Sequence, residues 1–92
     1  MLHALICTDK PDHLLVRQSN REAHLDHLNA DPHVVQAGPF VNAAGEMCGS
    51  LILFDTPDRT HVEAFAAADP YAKAGLFEAV RIEAWNRVVN RG

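Results

Sequence analysis

The 92-residue chain has no run of Lys and Arg, and with eight basic against twelve acidic side chains its formal charge is −4. A nucleic-acid partner is therefore not expected, because phosphate recognition needs a clustered basic patch. No apolar run approaches the roughly 18 residues that span a bilayer, so no membrane partner is expected. The segment Leu2 to Cys7 lacks the basic flank and cleavage site of a signal peptide and reads as a strand, which leaves the cytoplasm as the expected compartment. The two cysteines, Cys7 and Cys48, form no CxxC pair, so packed, reduced thiols are expected rather than a disulfide framework or a zinc ribbon. GxGxxG, GxxxxGK[ST] and HExxH are all missing, and Ser19 and Ser50 lie outside any GxSxG elbow. No nucleotide, metal or other cofactor is expected.

What is present fits one small domain over residues 1–92. Leu2 to Cys7 is β-prone and ends at the turn-like Asp9-Lys10-Pro11-Asp12, where Asp12 is placed to cap a helix running to about Asn29. Asp31-Pro32 breaks the chain. Val34 and Val35 lead a second strand towards Val41, Asn42-Ala43-Ala44-Gly45 has hairpin composition, and Met47 to Phe54 is a third strand. Pro57-Asp58 starts a second helix with Val62, Phe65 and Ala66 at core spacing, and Asp69-Pro70 ends it. Phe77 to about Trp85 is the fourth strand. The order β-α-β-β-α-β is the split βαβ, an α+β arrangement with both helices on one face of its sheet.

In the last strand Val80, Ile82 and Ala84 suit packing under the helices, whereas Phe77, Ala79, Arg81, Glu83 and Trp85 point to the other side. Such a face is too apolar for open water and too polar for a core. It reads as a homodimer interface enclosing a cavity, the alternative being an ordinary amphipathic exposed face.

The first helix concentrates the polar chemistry. Leu14, Arg17, Arg21, His24, Leu25 and Leu28 fall within an arc of about 100°. Cations within an apolar stripe are costly unless they are paired or reach water, which places them at a cavity edge or over the core as snorkelling side chains. Asp69 continues the buried stripe of the second helix. It is also placed to cap the turn Pro70-Tyr71-Ala72-Lys73-Ala74-Gly75, yet a capping carboxylate still has lone pairs for an imidazole. If Asp69 meets His24, it fixes the tautomer of a general base, and Arg17 or Arg21 can bind a carboxylate or enolate oxygen. His24 and His27 are three apart, but they point in directions about 60° apart and have no third ligand at defined spacing, so a metal site is not expected.

These residues carry a resemblance to the YCII-related (YciI-like) family. The matching elements are Arg17-x-x-x-Arg21-x-x-His24-Leu25-x-x-Leu28, then Ala37-Gly38-Pro39, Gly49-Ser50, and Ala67-Ala68-Asp69-Pro70-Tyr71-Ala72-Lys73-Ala74-Gly75-Leu76-Phe77. The resemblance implies a ferredoxin-like domain with an antiparallel sheet, forming a dimeric α/β barrel. It also implies an active site on His24 and Asp69, with Arg17, Arg21, Gly38, Pro39, Ser50 and Tyr71 as pocket neighbours. One branch of the family resembles a dehydrochlorinase, which directs expectation to a cofactor-free lyase or isomerase acting on a small-molecule ligand by proton abstraction or elimination. A non-catalytic ligand-binding module, a cofactor-free monooxygenase, and a structural tie between helices are the alternatives.

Overall fold

Eight residues of period-2 apolar sequence open the chain, and in the computed structural model, which describes residues 1–92, they form β1 (Leu2–Asp9). The elements that follow are α1 (Leu14–Asn29), β2 (Val34–Val41), β3 (Met47–Phe54), α2 (Arg59–Ala68), the single turn α3 (Pro70–Lys73) and β4 (Phe77–Trp85). The four strands make one antiparallel sheet in the order β2-β3-β1-β4, the ferredoxin-like topology. No helix is long and apolar enough to cross a membrane.

Alternation along the two central strands sends Leu5, Cys7, Ile52 and Phe54 under the helices, where they meet Val62 and Phe65 of α2. Leu28, Val34, Ala66, Phe77 and Ile82 pack around this cluster. Two glycines are required by geometry. A Cβ on Gly49 would lie 2.5 Å from the Cys7 carbonyl oxygen, so the close approach of β3 to β1 depends on its absence. Gly75, at φ +75°, supplies the left-handed residue that turns the chain from α3 towards β4.

Two expectations are corrected. Asp12 does not cap α1: it adopts φ +60°, a left-handed turn residue, and the helix begins after His13, which makes no side-chain cap. The His13 Nδ1–H instead donates to the Pro11 carbonyl at 2.8 Å. The turn uses up the residue that the local sequence offered as a cap. Phe77 does not join the far face of the sheet. The β1–β4 register passes from Thr8↔Ala79 to Asp9↔Phe77, so Glu78 is an extra residue in a bulge, and Phe77 is turned in against the core and the edge of Tyr71. A one-residue insertion reverses the alternation on which the expectation rested.

The face away from the helices carries Ala4 and Ile6 flanked by Leu51, Leu53, Arg81 and Glu83, with Phe40 and Trp85 about two-fifths exposed. Beyond β4, Arg87 donates to Gln36 of β2 at 3.0 Å and lies over the Trp85 ring.

Candidate active site

Arg17 is one helical turn into α1 and only 2% exposed, a placement that requires a counter-charge. Asp9 supplies it. Continuing the inward alternation of His3, Leu5 and Cys7 brings the Asp9 carboxylate under α1, where Arg17 Nε and Nη2 donate to its two oxygens at 2.7 and 3.0 Å. Nη2 also donates to Ser50 Oγ at 2.8 Å. Burial works to lower the Arg17 pKa, but the Asp9 hydrogen bond and charge outweigh it and hold the guanidinium above its ordinary value.

Tyr71 joins this pair to the histidine. The Arg17 guanidinium carbon lies 4.6 Å from the centre of the Tyr71 ring, and the His24 imidazole stacks on the same ring with centroids 4.0 Å apart. Burial pushes the phenol upward, partly offset by the Arg17 and Arg21 charges.

His24, seven residues after Arg17 and so on the same side of α1, reaches Asp69. Its Nδ1–H donates to the carboxylate at 2.9 and 3.1 Å, and both residues are buried. Asp69 at the same time caps α3 by accepting from the Tyr71 amide at 2.9 Å, with Pro70 at the first helical position. The Nδ1 contact leaves the His24 Nε2 lone pair free.

A cavity of about 130 Å³ opens beside this group. Seven of the eight sequence-predicted residues line it: Arg17, Arg21, His24, Gly38, Pro39, Ser50 and Tyr71. Asp69 lies behind His24 and does not touch the cavity. Leu25, Leu28, Ala37, Met47 and Ile52 complete an apolar wall. No buried side-chain nitrogen or oxygen lacks a partner. His24 Nε2 makes no hydrogen bond within the chain and is not sealed in, and the cavity is the space beside it. Tyr71 Oη, which the Arg17 guanidinium reaches as a donor, donates to no group of the chain. Arg21 is exposed at its rim.

The two arginines are thus not equivalent. Arg17 is committed to Asp9 and Ser50 through two of its nitrogens and lies against Tyr71, whereas Arg21 has its whole guanidinium free of the chain's hydrogen bonds. Asp9 and Met47 were missed from the sequence. Asp9 carried a signal, since it sits at odd-numbered register with the buried residues of β1. Met47 carried none, because a methionine at a strand start says nothing about a cavity. No group of three or more His, Cys, Asp or Glu side chains is placed to hold a metal ion.

The comparisons with known proteins agree with this architecture. The profile of the YCII-related domain matches residues 1–86. Protein YciI of Escherichia coli O6:H1 is 33% identical over 98 aligned positions, covering 96% of this chain and 99% of that protein, and the Shigella flexneri YciI gives the same values. Among solved structures, the 5-chloro-2-hydroxyhydroquinone dehydrochlorinase TftG of Burkholderia phenoliruptrix AC1100, in complex with 2,5-dihydroxybenzoquinone, superposes with a TM-score of 0.86 at 33% identity over 94% of both chains. Rv0793 of Mycobacterium tuberculosis, at 14% identity and a TM-score of 0.64 over 94% of this chain and 96% of that one, shares the fold alone. With the profile spanning nearly its whole length, the chain belongs to the YCII-related family.

Proposed function

We propose that the protein is a small-molecule lyase or isomerase in which His24 moves a proton on a single-ring hydroxylated substrate. The observation that carries this reading is the imidazole itself, tied through Nδ1 to a buried carboxylate while Nε2 opens into a cavity. A carboxylate in that position fixes which nitrogen bears the lone pair and stabilises the imidazolium that forms on proton transfer. Arg21 at the rim and Arg17 in the cavity wall are suited to an oxyanion developing on the ring.

Size supports a small ring. An apolar protein cavity of about 150 Å³ accommodates benzene, and the present one, at about 130 Å³, is of that order. Its wall of Leu, Ile, Met and Tyr side chains with a few convergent polar atoms is the usual composition of a ligand site. The 33% identity to a dehydrochlorinase over nearly the full chain, in a complex with a dihydroxybenzoquinone, supports elimination from a halogenated or otherwise activated phenol.

The working unit in this reading is a homodimer. The helix-free sheet face, with Ile6, Leu51, Phe40 and Trp85, carries Arg81 and Glu83 two residues apart, a pair that is self-complementary across a two-fold axis. Light scattering at micromolar concentration should report twice the chain mass. The free thiols Cys7 and Cys48 suit a reducing compartment, which supports a cytoplasmic location.

The test is chloride release from 5-chloro-2-hydroxyhydroquinone by the wild-type chain and by His24→Ala, with 2,5-dihydroxybenzoquinone binding measured by calorimetry. Release by the wild type and at least a ~100-fold loss in the variant, with the fold retained, are expected for removal of a general base. Binding of the quinone without any turnover would make the protein a ligand-binding module instead.

A further inference from the structure

The cavity presents a second proton-bearing group that the reading above leaves without a task. Tyr71 is 1% exposed, so almost its entire surface is packed: the imidazole of His24 stacks on its ring, the Arg17 guanidinium lies over it, and Phe77 meets it edge-on. Its hydroxyl is within the reach of the Arg17 guanidinium, which can only donate to it, and it donates to no acceptor within the chain, so the phenol proton is uncommitted. The residue lines the cavity. A tyrosine held only for packing would be as well served by phenylalanine, whereas here a phenol with an uncommitted proton lines the same cavity as His24. We propose that Tyr71 is the catalytic acid of this site, delivering a proton to ring carbon while His24 takes one from ring oxygen.

The assignment rests on the elimination chemistry proposed above, and it completes its proton account. His24 Nε2 removes the proton of a ring hydroxyl. The electron pair released makes that C–O bond a carbonyl, and the chlorine-bearing carbon forms a C–H bond with the Tyr71 proton. The tyrosinate left behind faces the charges of Arg17 and Arg21, both of which act on this phenol. A second ring hydroxyl then loses its proton to the tyrosinate as its oxygen becomes the second carbonyl. The C–Cl bond breaks with its electrons leaving on chloride. The imidazolium returns its proton to water, so the net change is loss of HCl. The ring is oxidised by two electrons, which are accounted for by replacement of C–Cl with C–H, and no outside oxidant is needed. Two groups let proton removal from oxygen and proton delivery to carbon proceed together, one at each atom of the ring. Burial keeps the phenol protonated until the ring carbon takes the proton, and the Arg17 and Arg21 charges offset part of the cost of the tyrosinate.

Tyr71→Phe is the decisive variant, since it keeps the aromatic ring beneath His24 and Arg17 and removes one oxygen atom. Its chloride release from 5-chloro-2-hydroxyhydroquinone should fall at least ~100-fold in kcat, the size typical of losing an acid–base group. Its affinity for 2,5-dihydroxybenzoquinone should stay within ~3-fold of wild type, because an interaction made only in the transition state does not enter ground-state binding. If His24→Ala is inactive while Tyr71→Phe turns over at close to the wild-type rate, the Tyr71 assignment is overturned and the His24 reading stands. Equal loss of quinone binding and turnover in Tyr71→Phe would make the hydroxyl a binding group and also overturns it. Absence of chloride release by the wild-type chain overturns both.

Discussion

Asp69 holds His24 with the same oxygen that caps a helix: its Oδ1 accepts from the His24 Nδ1–H and from the Tyr71 amide, each at 2.9 Å. One carboxylate therefore fixes the orientation of the imidazole and the start of the segment that carries Tyr71, so the two cavity-facing groups are positioned relative to each other by a single atom. The contact spans 45 residues of sequence and joins α1 to the turn after α2.

Asparagine and alanine at position 69 should therefore fail differently. Asp69→Asn keeps an oxygen for the Tyr71 amide and costs little stability, but it removes the charge that stabilises the imidazolium. Its turnover should fall by roughly 100-fold to 10,000-fold. Asp69→Ala removes the cap and strands a buried imidazole N–H, and should lose about 2–4 kcal/mol in urea unfolding. Equal activity loss and equal destabilisation in the two variants would show that the carboxylate is structural only.

Breaking the Asp9–Arg17 pair should be among the costlier single changes in the domain. Asp9→Ala leaves a guanidinium that is 2% exposed without its counter-charge, and a loss of about 3–5 kcal/mol is expected. Replacing both partners, as in Asp9→Leu with Arg17→Met, should recover much of that loss, because no charge is then left buried. A double variant as unstable as Asp9→Ala alone would place the cost in packing instead.

The fold and the polar side of α1 were legible in the sequence because they rest on periodicity and on turn chemistry, whereas Gly38, Pro39, Ser50 and Tyr71 were offered as cavity neighbours only by the family resemblance. Alternation identified the strands, the recurring positions 17, 21, 24 and 28 identified the inward side of α1, and Asp69-Pro70 signalled a cap and a helix start. Two failures had one cause, the ends of β1 and β4. Stopping β1 at Cys7 hid Asp9, whose register with Leu5 and Cys7 sends it under α1. The bulge at Glu78, which leaves Phe77 rather than Glu78 opposite Asp9, turned Phe77 inward. A bulge changes which residues share a face without changing composition, so alternation misplaces the residue beyond it. Pairwise contacts across 45 residues, or between Arg17 and Asp9, are products of the packed sheet and helix and have no signature in local spacing.

Cys7 makes the last prediction, one of pH dependence. It is 1% exposed on the core side of β1. Burial, with the charges of Asp69 and Asp9 adding and that of Arg17 opposing, pushes its thiol from 9.0 up to about 12. The folded chain then binds this proton more tightly than the unfolded chain does, so the contribution is fully present below pH 9.0 and is lost progressively as pH rises towards 12. The loss attributable to this one group should reach about 2 kcal/mol by pH 10.5. Urea titrations of the wild type and of Cys7→Ala at pH 8 and pH 10.5 isolate it, because other alkaline titrations are common to both chains. The variant loses packing at both values, yet its stability should fall less between them. In the native state at pH 8 the half-buried Cys48 should react with a thiol reagent while Cys7 stays protected. Parallel pH slopes for the two chains would mean that Cys7 ionises as readily folded as unfolded, and its burial against the acidic pair beneath α1 would then not be maintained in solution.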